Sequence, residues 1–103
     1  MANVQAFHGV PNATVNIDVS GSSQSKALGV SGNGYRQVEM TNDGTATVWY
    51  AFGDSTITTT TTAGQPLSAG GCKVQTIPNG ATHVAVIAAG TTGKVYFTPG
   101  SGL

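Results

Sequence analysis

Tyr35-Arg36-Gln37-Val38-Glu39-Met40-Thr41-Asn42-Asp43-Gly44-Thr45-Ala46-Thr47-Val48-Trp49-Tyr50-Ala51-Phe52 holds two runs of strand-forming residues around a turn. In the first run Tyr35, Gln37 and Glu39 alternate with Arg36, Val38 and Met40, the two-residue period of a strand with two unlike faces. In the second, from Thr45 to Phe52, β-branched and aromatic residues dominate. Its nearly continuous apolar end, Val48 to Phe52, predicts cover on both sides. Between the runs Asn42-Asp43-Gly44 tolerates the positive φ of a tight turn. The stretch predicts a β-hairpin with strands over residues 35–41 and 45–52, with Tyr50 and Phe52 on one face and Trp49 on the other.

The same grammar extends both ways. Val15, Ile17 and Val19 alternate with Asn16, Asp18 and Ser20, a half-buried strand. Gly21-Ser22-Ser23 reads as a loop or bulge, Ala27-Leu28-Gly29-Val30 as a short strand, and Ser31-Gly32-Asn33-Gly34 as a turn. Thr56 to Thr62, threonines around Ile57, fits either an edge strand of weak register or a solvated loop. Ala63-Gly64-Gln65-Pro66 turns the chain. Cys72, Val74 and Thr76 then alternate with Lys73, Gln75 and Ile77. Pro78-Asn79-Gly80 precedes an apolar strand from Thr82 to Ala89. A tight loop, Gly90-Thr91-Thr92-Gly93, leads into a last strand from Lys94 to Thr98, followed by a short tail from Pro99. No helical period appears. Seven or eight short strands between Gly-rich turns predict an all-β, antiparallel β-sandwich, jelly-roll-like. The expected organisation is one sandwich domain over residues 14–103, preceded by an extended N-terminal arm over residues 1–13, where Pro11 interrupts regular pairing.

Only 8% of the 103 residues are charged and the formal net charge is zero, against roughly 25% charged residues in an average domain. Lys26, Arg36, Lys73 and Lys94 are scattered and matched by Asp18, Glu39, Asp43 and Asp54. Nucleic acid and anionic membranes both require clustered cations, so neither is an expected partner. Threonine, serine and asparagine supply the polarity instead. Such a surface stays wet yet costs less than a charged one to bury against protein. Cys72 is the single cysteine, which excludes an internal disulfide and a cysteine-based zinc cluster. The first residues lack the basic start and apolar run of a secretory signal, and no run reaches the ~20 apolar residues of a spanning helix. The expectation is a soluble protein made in a reducing cytoplasm.

Catalytic chemistry needs converging groups, and the sequence offers few. His8 and His83 have no metal-binding spacing, and Asp43 and Asp54 sit in turn signals. Gly90 to Lys94 lacks both the glycine spacing and the hydroxyl residue of a phosphate loop. Cys72 has no basic neighbour in sequence to activate it, and Asn12-Ala13-Thr14 is a chance glycosylation triplet. The expectation is no enzyme, no catalytic residue, no cofactor and no metal. The expected partner contacts are Val4, Phe7, His8 and Val10 on the arm, where an added strand can pair with a neighbour's sheet edge. Two further sites complete the set: Trp49, on the face opposite Tyr50 and Phe52, and Thr58 and Thr60 in the threonine run.

Three segments carry a family likeness: Thr45 to Asp54, Ile77 to Ile87, and Gly93 to Gly102. Together they resemble small phage virion proteins, among them capsid decoration (cement) proteins with a jelly-roll-like fold. The resemblance covers roughly residues 35–102 and brings no catalytic residues with it. It implies a structural virion protein on the capsid surface, assembled in the host cytoplasm and bridging capsid subunits. The implied partners are the major capsid protein or other virion subunits, with self-association into a dimer or trimer. The alternatives are a phage tail, fibre or adaptor component, and a carbohydrate-binding β-sandwich module using exposed aromatics.

Overall fold

A computed structural model describes residues 8–10, 12–28, 37–89 and 93–101, with the side chains of His8 and Ser101 left out. Residues 1–7 and 29–36 lie outside the described residues, so the turn expected at Ser31–Gly34 does too. Among the described residues nine strands form: β1 His8–Gly9, β2 Val15–Val19, β3 Gln24–Ala27, β4 Gln37–Asn42, β5 Val48–Gly53, β6 Gln65–Leu67, β7 Cys72–Thr76, β8 His83–Ala88 and β9 Gly93–Ser101.

Their pairing is nested. β5 pairs β6, β4 pairs β7, β3 pairs β8 and β2 pairs β9, every pair antiparallel. This is one long two-stranded ribbon with its tip at the β5–β6 connection. The ribbon folds over so that β4 also pairs β9 and β5 also pairs β8. Two sheets result: β2-β9-β4-β7, with β1 extending the β2 edge of β9, and β3-β8-β5-β6. That strand order is a jelly-roll β-sandwich.

Alternation builds the core, as the apolar periods predict. Ile17, Val19, Val38, Met40, Val95 and Phe97 from the first sheet meet Val48, Tyr50, Val84, Val86 and Ala88 from the second. Each large apolar side chain, such as the fully buried Phe97 or Met40, contributes roughly 1.5–3 kcal/mol by leaving water. Tyr50 and Phe52 do share the inner face, with rings edge to face at 5.7 Å.

The Asn42-Asp43-Gly44 turn does not close a hairpin. β4 and β5 lie in different sheets, so residues 43–47 carry the chain across the sandwich. Turn chemistry fixes where a chain bends, while core packing decides which strand lies beside which. Asn42 itself is fully buried. Its Nδ2 donates to the carbonyls of Ala46, Leu67 and Ser68, and its Oδ1 accepts from the Gly44 amide. The residue staples the β4–β5 and β6–β7 connections together. β8 and β9 likewise lie in different sheets, so the loop expected before Lys94 also joins sheets rather than closing a hairpin. Its Gly90–Thr92 part lies outside the described residues.

β9 runs through Pro99, which the sequence assigns to a tail. Proline within a central strand normally removes a ladder bond. Here the Pro99 carbonyl accepts from the Val10 amide at 2.9 Å, so the backbone of Pro99 faces the β1–β2 side. That side is interrupted: β1 ends at Gly9, β2 begins at Val15, and Asn12 takes φ 62°. The missing N–H therefore points at the break and costs β4 nothing.

Candidate interaction surfaces

The residues expected to meet partners fall in separate places. Val4 and Phe7 lie outside the described residues. His8 pairs with Ser101 through β1, so the end of the expected arm belongs to the first sheet. Val10 is half-buried and held by Pro99. Trp49, Thr58 and Thr60 come together elsewhere, over the outer face of the second sheet.

That outer face is overlaid by the chain itself. Gly53 and Trp49 share it by alternation, and a Cβ at position 53 would lie 2.8 Å from the Ile57 side chain. The Thr59 amide donates to Ser23 Oγ at 3.1 Å, on the far side of β8. A Cβ at position 64 would meet Thr59 Oγ1 at 2.7 Å and Trp49 Cβ at 2.9 Å. Residues 57–64 thus cross from β5 towards β3 and back. The threonine run is a strap over the sheet, and neither an edge strand nor a free loop. It accounts for the full burial of Ala85, whose side chain alternation turns away from the core. Trp49 is half-buried beneath the strap. Thr58 and Thr60 are exposed on it, and the Thr60 hydroxyl also accepts from the Ala63 amide at 3.0 Å. The sequence gives no sign of this path, because threonine suits strand and loop alike.

The first sheet's outer face carries no such strap among the described residues. Tyr96 stands half-buried near its centre, flanked across the strands by Asn16 and Thr41. Several of the side chains around it are paired with one another. Thr14 and Thr98 share a hydroxyl–hydroxyl bond of 2.8 Å, and Lys94 lies 3.4 Å from Asp18. Thr41 Oγ1 donates to Cys72 Sγ at 3.7 Å, and that thiol points on to Glu39 at 3.6 Å. Among the described residues, charge on this face is confined to Asp18, Lys94 and Glu39.

The remaining ionisable groups serve local structure. Thr56 donates its hydroxyl and then its amide to Asp54, at 2.6 and 2.9 Å, and holds that carboxyl below the usual carboxylate range. His83 Nδ1 shares a bond of 2.8 Å with Thr82. A polar groove of about 650 Å³ runs along the β2–β3 corner past Asp18, Gln24 and Lys94, beside another of about 210 Å³ past Asn16 and Lys26. Asp18 is the one carboxylate among the lining residues and is 82% exposed, so neither groove brings two carboxylates together. Among the described residues no three His, Cys, Asp or Glu side chains group as metal ligands.

The chain matches no known protein family, no curated protein and no solved structure.

Proposed function

We propose that this chain is a non-enzymatic structural module that docks on other protein through the outer face of its first sheet. Within that class we propose a decoration or cement protein of a phage capsid. The observation that carries the reading is the face around Tyr96, which among the described residues is uncovered and charge-poor, with most of its polar side chains bonded to each other. Burying a polar group costs least when its bonds are kept, so this face meets a partner at small dehydration cost. The two-sheet scaffold beneath holds it rigid. The carbohydrate-module alternative draws less support, since Trp49 lies under the strap.

The test is particle binding. The protein should co-purify with virions at high copy number, and particles lacking it should lose resistance to heat or low salt. Copy number near a dozen or below would favour the tail or adaptor alternative. Thr98→Arg, at an outward position on β9, should abolish attachment without changing the circular-dichroism spectrum. Undiminished attachment of that variant would refute the proposed face.

A further inference from the structure

An exposed sheet edge is a template for another strand, and stable proteins block such edges. Three of the four here are blocked. β6 is three residues long and contains Pro66. The β1–β2 edge is broken between Gly9 and Val15. At the β2–β3 corner Lys26 Nζ of β3 donates to the Asn16 carbonyl of β2 at 2.9 Å, which ties the two edges together. β7 is different: it has five residues, no Pro or Gly, and a ladder with β4 alone among the described residues.

The free groups on β7 can be assigned. The Asn42 amide donates to the Gly71 carbonyl, so residue 71 faces β4. Alternation then turns Lys73 and Gln75 toward β4, and the amides and carbonyls of Cys72, Val74 and Thr76 outward. β7 carries one charge, Lys73, and its ammonium folds inward, 3.3 Å from the Tyr50 hydroxyl.

We propose that β7 pairs antiparallel with β7 of a second copy, about a two-fold axis at Val74. In this register Cys72 faces Thr76 of the other copy, Val74 faces Val74, and Lys73 faces the neutral Gln75. All three outward residues exchange both backbone bonds, and no like charges meet. Shifting the axis to Lys73 would oppose two lysines, and shifting it to Gln75 would bring Pro78 into the ladder opposite Cys72. Lys73 and Pro78 together select the register, and a second copy fits this edge because in that register its single charge meets a neutral residue. Five residues of edge bury less than the ~800 Å² per partner of a standard interface, so the dimer is weak and concentration-dependent. This inference concerns self-association and stands or falls separately from capsid binding.

Directly opposed, hydrogen-bonded residues have Cα atoms ~5.5 Å apart, inside the ~4.4–6.8 Å range of a disulfide. Full-length Thr76→Cys should therefore form a covalent dimer through Cys72 on mild oxidation, reversed by thiol. Cys72→Ser/Val74→Cys should cross-link at the axis. Wild type and Cys72→Ser/Thr76→Cys should not, because their thiols face hydroxyls. The three positions substituted or paired, 72, 74 and 76, turn their backbone groups away from β4, and strand content by circular dichroism should match wild type in all variants. Sedimentation of wild type should show reversible dimers as concentration rises. Wild type cross-linking as readily as Thr76→Cys would overturn the proposal. So would failure of both Thr76→Cys and Cys72→Ser/Val74→Cys to cross-link.

Discussion

Replacing Asn42 by alanine removes the staple between two connections of the sandwich. The side chain is fully buried. It gives hydrogens to Ala46 at 2.9 Å, Leu67 at 3.1 Å and Ser68 at 3.2 Å, and accepts from the Gly44 amide at 3.0 Å. Alanine supplies none of these. The Ala46, Ser68 and Gly44 contacts are part-buried, and water can replace them after a small shift, whereas the Leu67 contact is buried. A neutral hydrogen bond contributes ~0.5–1.5 kcal/mol net, and a stranded buried acceptor costs ~1–3 kcal/mol. Two full donor bonds, the Gly44 bond and one stranded carbonyl sum to ~2.5–7.5 kcal/mol, a large share of a domain's ~5–15 kcal/mol. In thermal melts this lowers the midpoint by at least ~10 °C. Asn42→Asp is the sharper probe. It keeps an acceptor for Gly44 but faces three carbonyls with no donor, which raises its carboxyl pKa in the folded state. The folded state then binds more protons than the unfolded one, so stability falls as pH rises. Relative to wild type, the Asp variant should be worst at neutral pH and recover in mild acid. A loss below ~1 kcal/mol for alanine, or a pH-independent deficit for aspartate, would refute the staple.

The other expectations concern smaller sets of contacts. Gly64→Ala should clash with Thr59 Oγ1 and Trp49 Cβ, cost ~1–3 kcal/mol by overpacking and red-shift Trp49 fluorescence as the strap lifts; unchanged emission would mean the strap does not press on Trp49. Tyr50→Phe loses the hydroxyl's bonds to Gln75 at 2.5 Å and Lys73 at 3.3 Å. Both partners sit at a half-open edge and regain water, so a urea titration should show a loss of ~1 kcal/mol. Asp54 should titrate by NMR below the usual carboxylate range, and Thr56→Val should raise it by removing the first of its causes, the hydroxyl bond. A carboxyl depressed in the folded state adds stability above its unfolded pKa, and that stability is lost as pH falls through the folded value. Thr56→Val should flatten this acid limb.

Strand identity was largely legible because it is local. The Val15–Val19 alternation, the Cys72–Ile77 alternation and the Tyr50/Phe52 face all follow from the two-residue period. Partnership was not legible, because a turn such as Asn42-Asp43-Gly44 looks the same whether the chain returns beside itself or crosses to the other sheet. Asn42 looks like a turn residue in sequence, and its burial comes from contacts with Leu67 and Ser68 some 25 residues on. The strap was hidden for a similar reason: Ile57 and Thr59 reveal their seats only when Gly53 and Gly64 leave room beneath them. Pro99 misled because proline is excluded from central strands except where a ladder is already broken. That break lies about 85 residues away in the chain, a separation at which local rules carry no information.

The proposed face and the proposed edge belong to one sheet, and their geometry links them. A two-fold axis normal to the sheet at Val74 extends β2-β9-β4-β7 into a continuous sheet across two copies. Such an axis leaves both outer faces pointing the same way. A dimer therefore presents two Tyr96-centred surfaces to a single lattice, and two weak contacts bind with the effective concentration that linkage provides. With no net charge to keep copies apart, association is governed by which edges are blocked rather than by repulsion. Thr76→Pro separates the two contacts. The Thr76 amide points away from β4, so proline removes an edge donor while the β4 ladder keeps its bonds. This variant should sediment as a monomer, keep its fold, and attach to particles at least ~10²-fold more weakly than wild type. A monomeric Thr76→Pro protein that binds particles as tightly as wild type would break the link between edge and face.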